Sequence, residues 1–347
     1  MHSMHIQLCI FEQRIGLQIT GNFALRKQRI KQIFVTRIGV FFFRNFNLHI
    51  VGARVSKDSS GCEFGSNILI AKMTNITTHL RKMSTELIEG SIASYKLPLV
   101  NVLDYTESIP LNEWVGKEIC IEFTSNIHCI ATGKKIKKTY GEGLSYDAFL
   151  SSPLSSPSIV NPELSRIHEG IALRDFEWEQ KHHNQPHFVY LSRTSDIKVG
   201  VTRSTNLYSR WIDQGATEGI RLAETPYRQL AGSIEVMLKE FLADKTAWQA
   251  MLKGECSDMS SLLEKKNRLL DELPEEVHPF IADNDQVIAI TYPILQHPTK
   301  PKSIKLDTTP KVEGVLMGIK GQYLLLDNDR VFNVRSHAAY EVHVSIN

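Results

Sequence analysis

HFVYLSRTSDIKVGVTRSTNLYSRWIDQGATEGIRLAETPYRQLAGSIEVMLK, running from His187 to Lys239, decides how this chain is read. The run alternates as a short strand does, breaks at Thr194–Asp196, and alternates again to Arg203. It then takes a helical spacing, a further strand and a second helix. Within FVYLS, Phe188 and Tyr190 share a face; within IKVGVTR, Lys198, Gly200 and Thr202 share one, with Val199 and Val201 on the other. Tyr190 and Lys198 are therefore expected to meet across a hairpin. Gly200, without a Cβ, leaves room for a ligand or another backbone. Arg203 ends the second strand, and Arg210 and Trp211 follow on a helix. Glu235 sits mid-helix among Ile234, Val236, Met237 and Leu238, with Lys239 one turn on.

These residue types suit a phosphodiester. A guanidinium can grip a phosphate with two parallel donors, and an exposed indole can stack on a base. Arg203, Arg210, Trp211 and Lys198 are the candidate nucleic-acid contacts. A carboxylate inside an apolar helix is a solvent-facing ion pair with Lys239, a base or a metal ligand, so Glu235 is the candidate ligand for a divalent ion.

Outward from this run, the 347 residues favour two or three domains. Hydrophobic residues make up 42% and charged ones 22%, which is ordinary globular material and not a disordered tail. The net charge of +2 is unevenly spread. Residues 1–72 hold ten Lys or Arg against three Asp or Glu, leaving 30 against 35 in the rest. Any nucleic-acid contact in the globular part therefore needs a local patch and not a global field. The five cysteines (Cys9, Cys62, Cys120, Cys129 and Cys256) are scattered, which argues against a disulfide framework and for a reducing cytoplasm. No run reaches about eighteen apolar residues, and no secretory signal is evident, so no membrane partner is expected.

Residues 1–72 are basic, aromatic and poorly periodic. They read either as an Arg-rich arm or as translated upstream sequence without a fold, with Met73 or Met83 as the start; the second is the expectation. Residues 78–170 are β-rich and carry the loop LSSPLSSPSIVNPEL. Residues 171–275 hold the α/β core and open on a helical stretch with Asp175, Glu177, Glu179 and the pair His182–His183. Two further helices lie at DKTAWQAMLKGE and SSLLEKKNRLLDEL. Residues 276–347 break into short strands, which suggest a small barrel or sandwich built with strands before Gly133. No Walker loop, GxGxxG or GxSxG is present, which sets aside nucleotide-hydrolase and serine-hydrolase chemistry.

The pattern VYL, KVGVTR, RW and a later helical Glu resembles the GIY-YIG nuclease fold. The resemblance implies that Tyr190 matches the first motif tyrosine, Gly200 the second motif glycine, Arg210 the helix arginine and Glu235 the metal-binding glutamate. Lys198 stands where the second motif tyrosine would be. The implied catalytic set is Tyr190, Lys198, Arg210 and Glu235, with Mg²⁺ or Mn²⁺ as cofactor.

Over residues 78–347 the strings IPLNEWVGK, PELSRIHEG, RWIDQGA, DKTAW and VFNVRSHAAYEV resemble an uncharacterised bacterial family, domain of unknown function 2797, in its Bacteroidetes branch. Many members carry paired zinc-binding cysteines before the VYL strand. Here Cys129 remains, while Thr132, Ser145, Ala148, Ser158 and Ser165 occupy the other positions. Tetrahedral zinc needs four good ligands, so no structural zinc is expected, and packing with hydrogen bonds must hold the insert. The expected fold class is α+β. Two functions remain open: a metal-dependent nuclease, and a catalytically inactive nucleic-acid-binding or scaffold protein.

Overall fold

A computed structural model of the chain describes residues 76–242 and 247–346. The basic extension over 1–72 lies outside the described residues. The fold is α+β, as expected. The strands in chain order are β1 Ile76–His79, β2 Ser84–Ile88, β3 Ile92–Asn101, β4 Asp104–Pro110, β5 Glu118–Ile127, β6 His187–Arg193, β7 Ile197–Arg203, β8 Glu218–Thr225, β9 Ile288–Ala289, β10 Lys302–Ile304, β11 Lys311–Lys320, β12 Tyr323–Leu326, β13 Arg330–Asn333 and β14 Tyr340–Ile346. The α-helices are α1 Tyr146–Ser151, α2 Pro157–Val160, α3 Phe176–His183, α4 Leu207–Asp213, α5 Arg228–Leu238, α6 Trp248–Lys253 and α7 Leu262–Leu270.

The tail strands do pair with those before Gly133. β5 lies between β14 and β11 in a seven-stranded sheet of order β1-β14-β5-β11-β12-β13-β10. This sheet is open, so of the barrel and the sandwich that the short strands suggested, the closed barrel is excluded. β10 joins its far edge by parallel pairing to β13, and β1 forms the near edge. β2, β3 and β4 form a second sheet. Alternate residues of β3 (Tyr95, Leu97 and Leu99) enter the same core as Ile119, Ile121, Val342 and Val344 of the large sheet. Period-two alternation on strands from both ends of the chain thus closes one apolar layer.

The third sheet, β7-β6-β8-β9, carries the core of the molecule's middle. β6 is buried along its whole length between β7 and β8. Its two faces meet different partners. Val189 and Leu191 pack against Ala231, Ile234 and Leu238 of α5 and Leu262 and Leu269 of α7. Phe188 and Tyr190 face Trp211 and Ile212 of α4 and the N-terminal strands. Helix α7 is capped by the second of the two serines that open SSLLEKKNRLLDEL: the Ser261 side chain accepts the Glu264 amide.

Cys129, Ser145, Ala148, Ser158 and Ser165 are held by hydrogen bonds and packing. Cys129 Sγ accepts the Ser145 amide at 3.2 Å, and Ala148 packs with Cys129 and Leu144. Burial pushes the Cys129 thiol up, but hydrogen bonds from Thr132 and from the Ser145 and Ala131 amides outweigh it and bring it down to about 7. Ser158 bonds Ser156 at 3.1 Å, and Ser165 contacts His183 Nδ1 at 3.5 Å.

Candidate functional site

Strand β7 ends at Arg203, and a short 3-10 turn over Ser204–Asn206 swings the chain into α4. Helix α4 buries Leu207, Trp211, Ile212 and Asp213 and leaves Arg210 beside the end of β7. Helix α5 begins at Arg228 and brings Glu235 to the same place. These three elements make one wall of a cleft of about 780 Å³, whose lining includes Arg203, Arg210, Asp213, Arg228 and Glu235, with Lys82 entering from the N-terminal segment. The facing wall comes from residues 130–162 and includes Leu144, Phe149, Leu154, Ile159 and Val160.

Two devices join the walls. Arg228 donates from Nε to the Ser158 carbonyl at 2.8 Å and from Nη2 to the Ile159 carbonyl at 3.0 Å. Around Gly232 the backbone of Pro162–Leu164, a 3-10 turn, crosses α5 so closely that a Cβ would meet the Glu163 nitrogen at 2.2 Å. A helix-interior glycine is costly in itself, and here close approach explains it.

The electrostatics favour a bound anion. Burial works against the charge of Arg210, but Tyr190, Asp213 and Glu235 outweigh it and hold the guanidinium above its ordinary range. Its Nε is buried and has no hydrogen-bond partner. Arg228 is lowered to about 10, first by burial and then by Arg210, and stays cationic at neutral pH. Burial raises the Glu235 carboxyl; Lys239, Arg210 and Arg228 pull it back, while Glu163 adds to the rise. Glu235 is 8% exposed yet forms the ion pair with Lys239, at 3.7 Å. Glu235 therefore pairs with Lys239 as the spacing suggested, but from a buried position in the cleft lining and not from a solvent-facing one.

The other sequence candidates fall in different places. Tyr190 is fully buried behind Arg210 and is not part of the cleft lining. Its hydroxyl donates to Gln214 Oε1 at 3.1 Å and lies within hydrogen-bonding reach of Arg210. Burial raises its pKa, so it remains a neutral phenol. The space above Gly200 goes to no ligand: Tyr190 is its cross-strand partner, and a Cβ at Gly200 would lie 2.5 Å from the Tyr190 hydroxyl. That register sets Lys198 opposite Ser192, one pair further along the same face, and Lys198 does not line the cleft. The expected meeting of Tyr190 with Lys198 is thus corrected to a Tyr190–Gly200 pair.

Trp211 is 1% exposed, edge-on to Tyr190 and Tyr208 at 5.9 and 5.7 Å between ring centres. It is a core residue and offers no face to a base. Its size and apolar body favoured burial from the start. Glu179 is also buried; its carboxylate accepts the Leu173 and Arg174 amides and organises the loop before α3. Of the α3 residues, His182 and His183 line the cleft beside Trp178; His183 and His187 are neutral, lowered mainly by burial to about 3 and about 4.

Arg228 and Lys82 were not singled out from the sequence. Arg228 did carry a signal: it stands seven residues before Glu235, so both share a helix face. Lys82 carried none, because it reaches the cleft from a distant segment by pairing with Asp213. Asp213 is fixed further by Gln322 Nε2 at 2.7 Å and Thr85 Oγ1 at 3.2 Å.

No curated protein and no solved structure gives a significant match to this chain. A family model described as "Protein of unknown function (DUF2797)" matches residues 116–342, a span that holds both walls of the cleft and all the residues above except Lys82 and Thr85. The chain belongs to the DUF2797 family.

Proposed function

We propose that the cleft binds the phosphodiester backbone of a nucleic acid. The observation that carries this reading is the convergence of Arg203, Arg210 and Arg228 on one cleft, with Arg210 braced from behind by Tyr190. The guanidiniums of Arg203, Arg210 and Arg228 with Lys82, against Glu142, Asp213 and Glu235, leave one positive charge in surplus at the lining. Planar forks of this kind match phosphate oxygens better than lysines do. The likeness of Tyr190, Gly200, Arg210 and Glu235 to the GIY-YIG pattern supports the same reading. In it, Tyr190 is a positioning residue for Arg210, and Lys198 and Trp211 take no part in contact.

A second reading, hydrolysis of the bound phosphodiester, is favoured by Glu235, a buried carboxylate in the lining beside Arg210. Among the described residues no group of three or more His, Cys, Asp or Glu side chains is arranged to hold a metal ion. Mg²⁺ needs fewer protein ligands than that: it is commonly held by one or two carboxylates with waters and substrate phosphates. Glu235 fits this minimal donor set, for Mg²⁺ or Mn²⁺. Such an ion would polarise the phosphate and activate water. Arg203 and Arg210 would hold the phosphate oxygens, Arg228 would add its charge while clamping the facing wall, and Tyr190 would keep the Arg210 fork in place.

The test uses the full chain with labelled branched and single-stranded DNA and RNA, in gel shift without divalent ions and in cleavage assays with Mg²⁺ or Mn²⁺. Binding that weakens with salt and with Arg210→Ala supports the binding site. Cleavage that Glu235→Gln removes while binding persists supports hydrolysis. Binding to none of these substrates overturns both.

A further inference from the structure

The two walls of the cleft are chemically opposite. One presents arginines; the other presents Phe149, Leu154, Ile159 and Val160, which are 36%, 45%, 37% and 77% exposed. Apolar side chains left in water around a binding cleft mark contact with something apolar. We propose that the occupant is a nucleotide with an unpaired base, so that the ligand is a single-stranded segment or end and not an intact duplex. This rests on the phosphodiester reading and adds the state of the base.

An intact duplex offers phosphates, sugars and base edges, while its base faces are hidden in the stack. The wall of Phe149, Leu154, Ile159 and Val160 would then have nothing to cover it. An unpaired base brings a flat apolar face on the same unit as the phosphate, matching both walls at once. The size agrees: about 780 Å³ lies within the roughly 300–1,000 Å³ of clefts that enclose one small-molecule-sized ligand. The Arg228 clamp on Ser158 and Ile159 fixes the apolar wall against the cationic one, so the spacing between them is built into the fold.

The experiment is fluorescence anisotropy with the full chain in EDTA. The probes, of equal length, are a single-stranded DNA, a single-stranded RNA, a blunt duplex and an abasic chain that keeps every phosphate. The expected result is that one or both single strands bind about tenfold more tightly than the duplex and the abasic chain, the loss corresponding to one stacked base. The DNA and RNA arms tell which sugar is preferred. Val160→Ser, at a largely exposed position, should remove most of that preference without changing binding of the abasic chain or the melting midpoint. Phe149→Ala serves as the second variant. If duplex or abasic chain binds as tightly as the single strands, or if both variants leave the preference intact, the unpaired-base proposal fails while the phosphodiester site stands. If no probe binds, both readings fall.

Discussion

Gly232→Ala is a sharp test of how the cleft is assembled. By helix propensity alone the change should stabilise α5, by about 0.8–1.0 kcal/mol. The structure reverses the sign. The new Cβ would lie 2.2 Å from the Glu163 nitrogen, 2.5 Å from the Pro162 carbonyl carbon and 2.8 Å from the Glu163 Cα. All three are backbone atoms, so no side chain can rotate away. Restoring ordinary contact needs a displacement of about 1 Å in the turn over Pro162–Leu164, whose Pro162 lines the cleft. Overpacking costs about 1–3 kcal/mol, and a backbone clash belongs at the upper end. The net expectation is destabilisation by about 1–2 kcal/mol, a fall in melting temperature of about 2–8 °C. The assay is a thermal melt of Gly232→Ala beside Val236→Ala. Val236 is 45% exposed on the same helix, so its substitution gains propensity without a clash and should leave the midpoint unchanged or slightly higher. A Gly232→Ala protein that melts at or above the parent would refute the claim that this glycine is kept for close packing.

Three further outcomes follow from the same geometry. Arg193 is 6% exposed and donates to Glu218 Oε2 at 3.1 Å, to the Ser260 carbonyl at 2.7 Å and to the Asp258 carbonyl; Arg193→Ala should cost about 3 kcal/mol in denaturant unfolding, whereas Arg166→Ala, at an exposed pair with Glu169, should leave the midpoint where it is. His183 is neutral in the fold, lowered to about 3 from an ordinary 6.5, with Arg228, Arg203, His187 and His182 all beside it. The unfolded chain takes up the proton first, so this stability is complete above about pH 6.5 and is lost as pH falls toward 3; melts of His183→Gln across that window should show a shallower pH dependence than the parent. Arg210→Lys keeps the charge but loses the planar fork, so nucleic-acid affinity should drop several-fold at an unchanged salt slope, while Arg210→Ala should also reduce that slope by about one, read by titration at several salt concentrations.

The sequence by itself determined the local elements. Period-two alternation marked β6 and β7, a serine cap marked α7, and the apolar spacing marked α5, because each signal lies within a few residues of the structure it specifies. It also determined that Arg210 and Glu235 are chemically unusual, one beside a tryptophan on a helix and the other inside an apolar run. What it did not determine is which neighbours these residues meet. The hairpin register was one such question: a phase of two residues separates a Tyr190–Lys198 pair from the observed Tyr190–Gly200 pair, and alternation is blind to it. Trp211 was another, since an indole next to an arginine reads equally as a stacking platform or as core until the packing of Tyr190 and Tyr208 settles it. The cleft itself belongs wholly to tertiary structure. Its walls come from residues 130–162 and 201–235, with Lys82 and the α3 residues Trp178, His182 and His183 from outside both, and their meeting depends on a glycine crossing and an arginine clamp. Such contacts are decided by the burial of the whole chain, and no periodicity along a single segment encodes them.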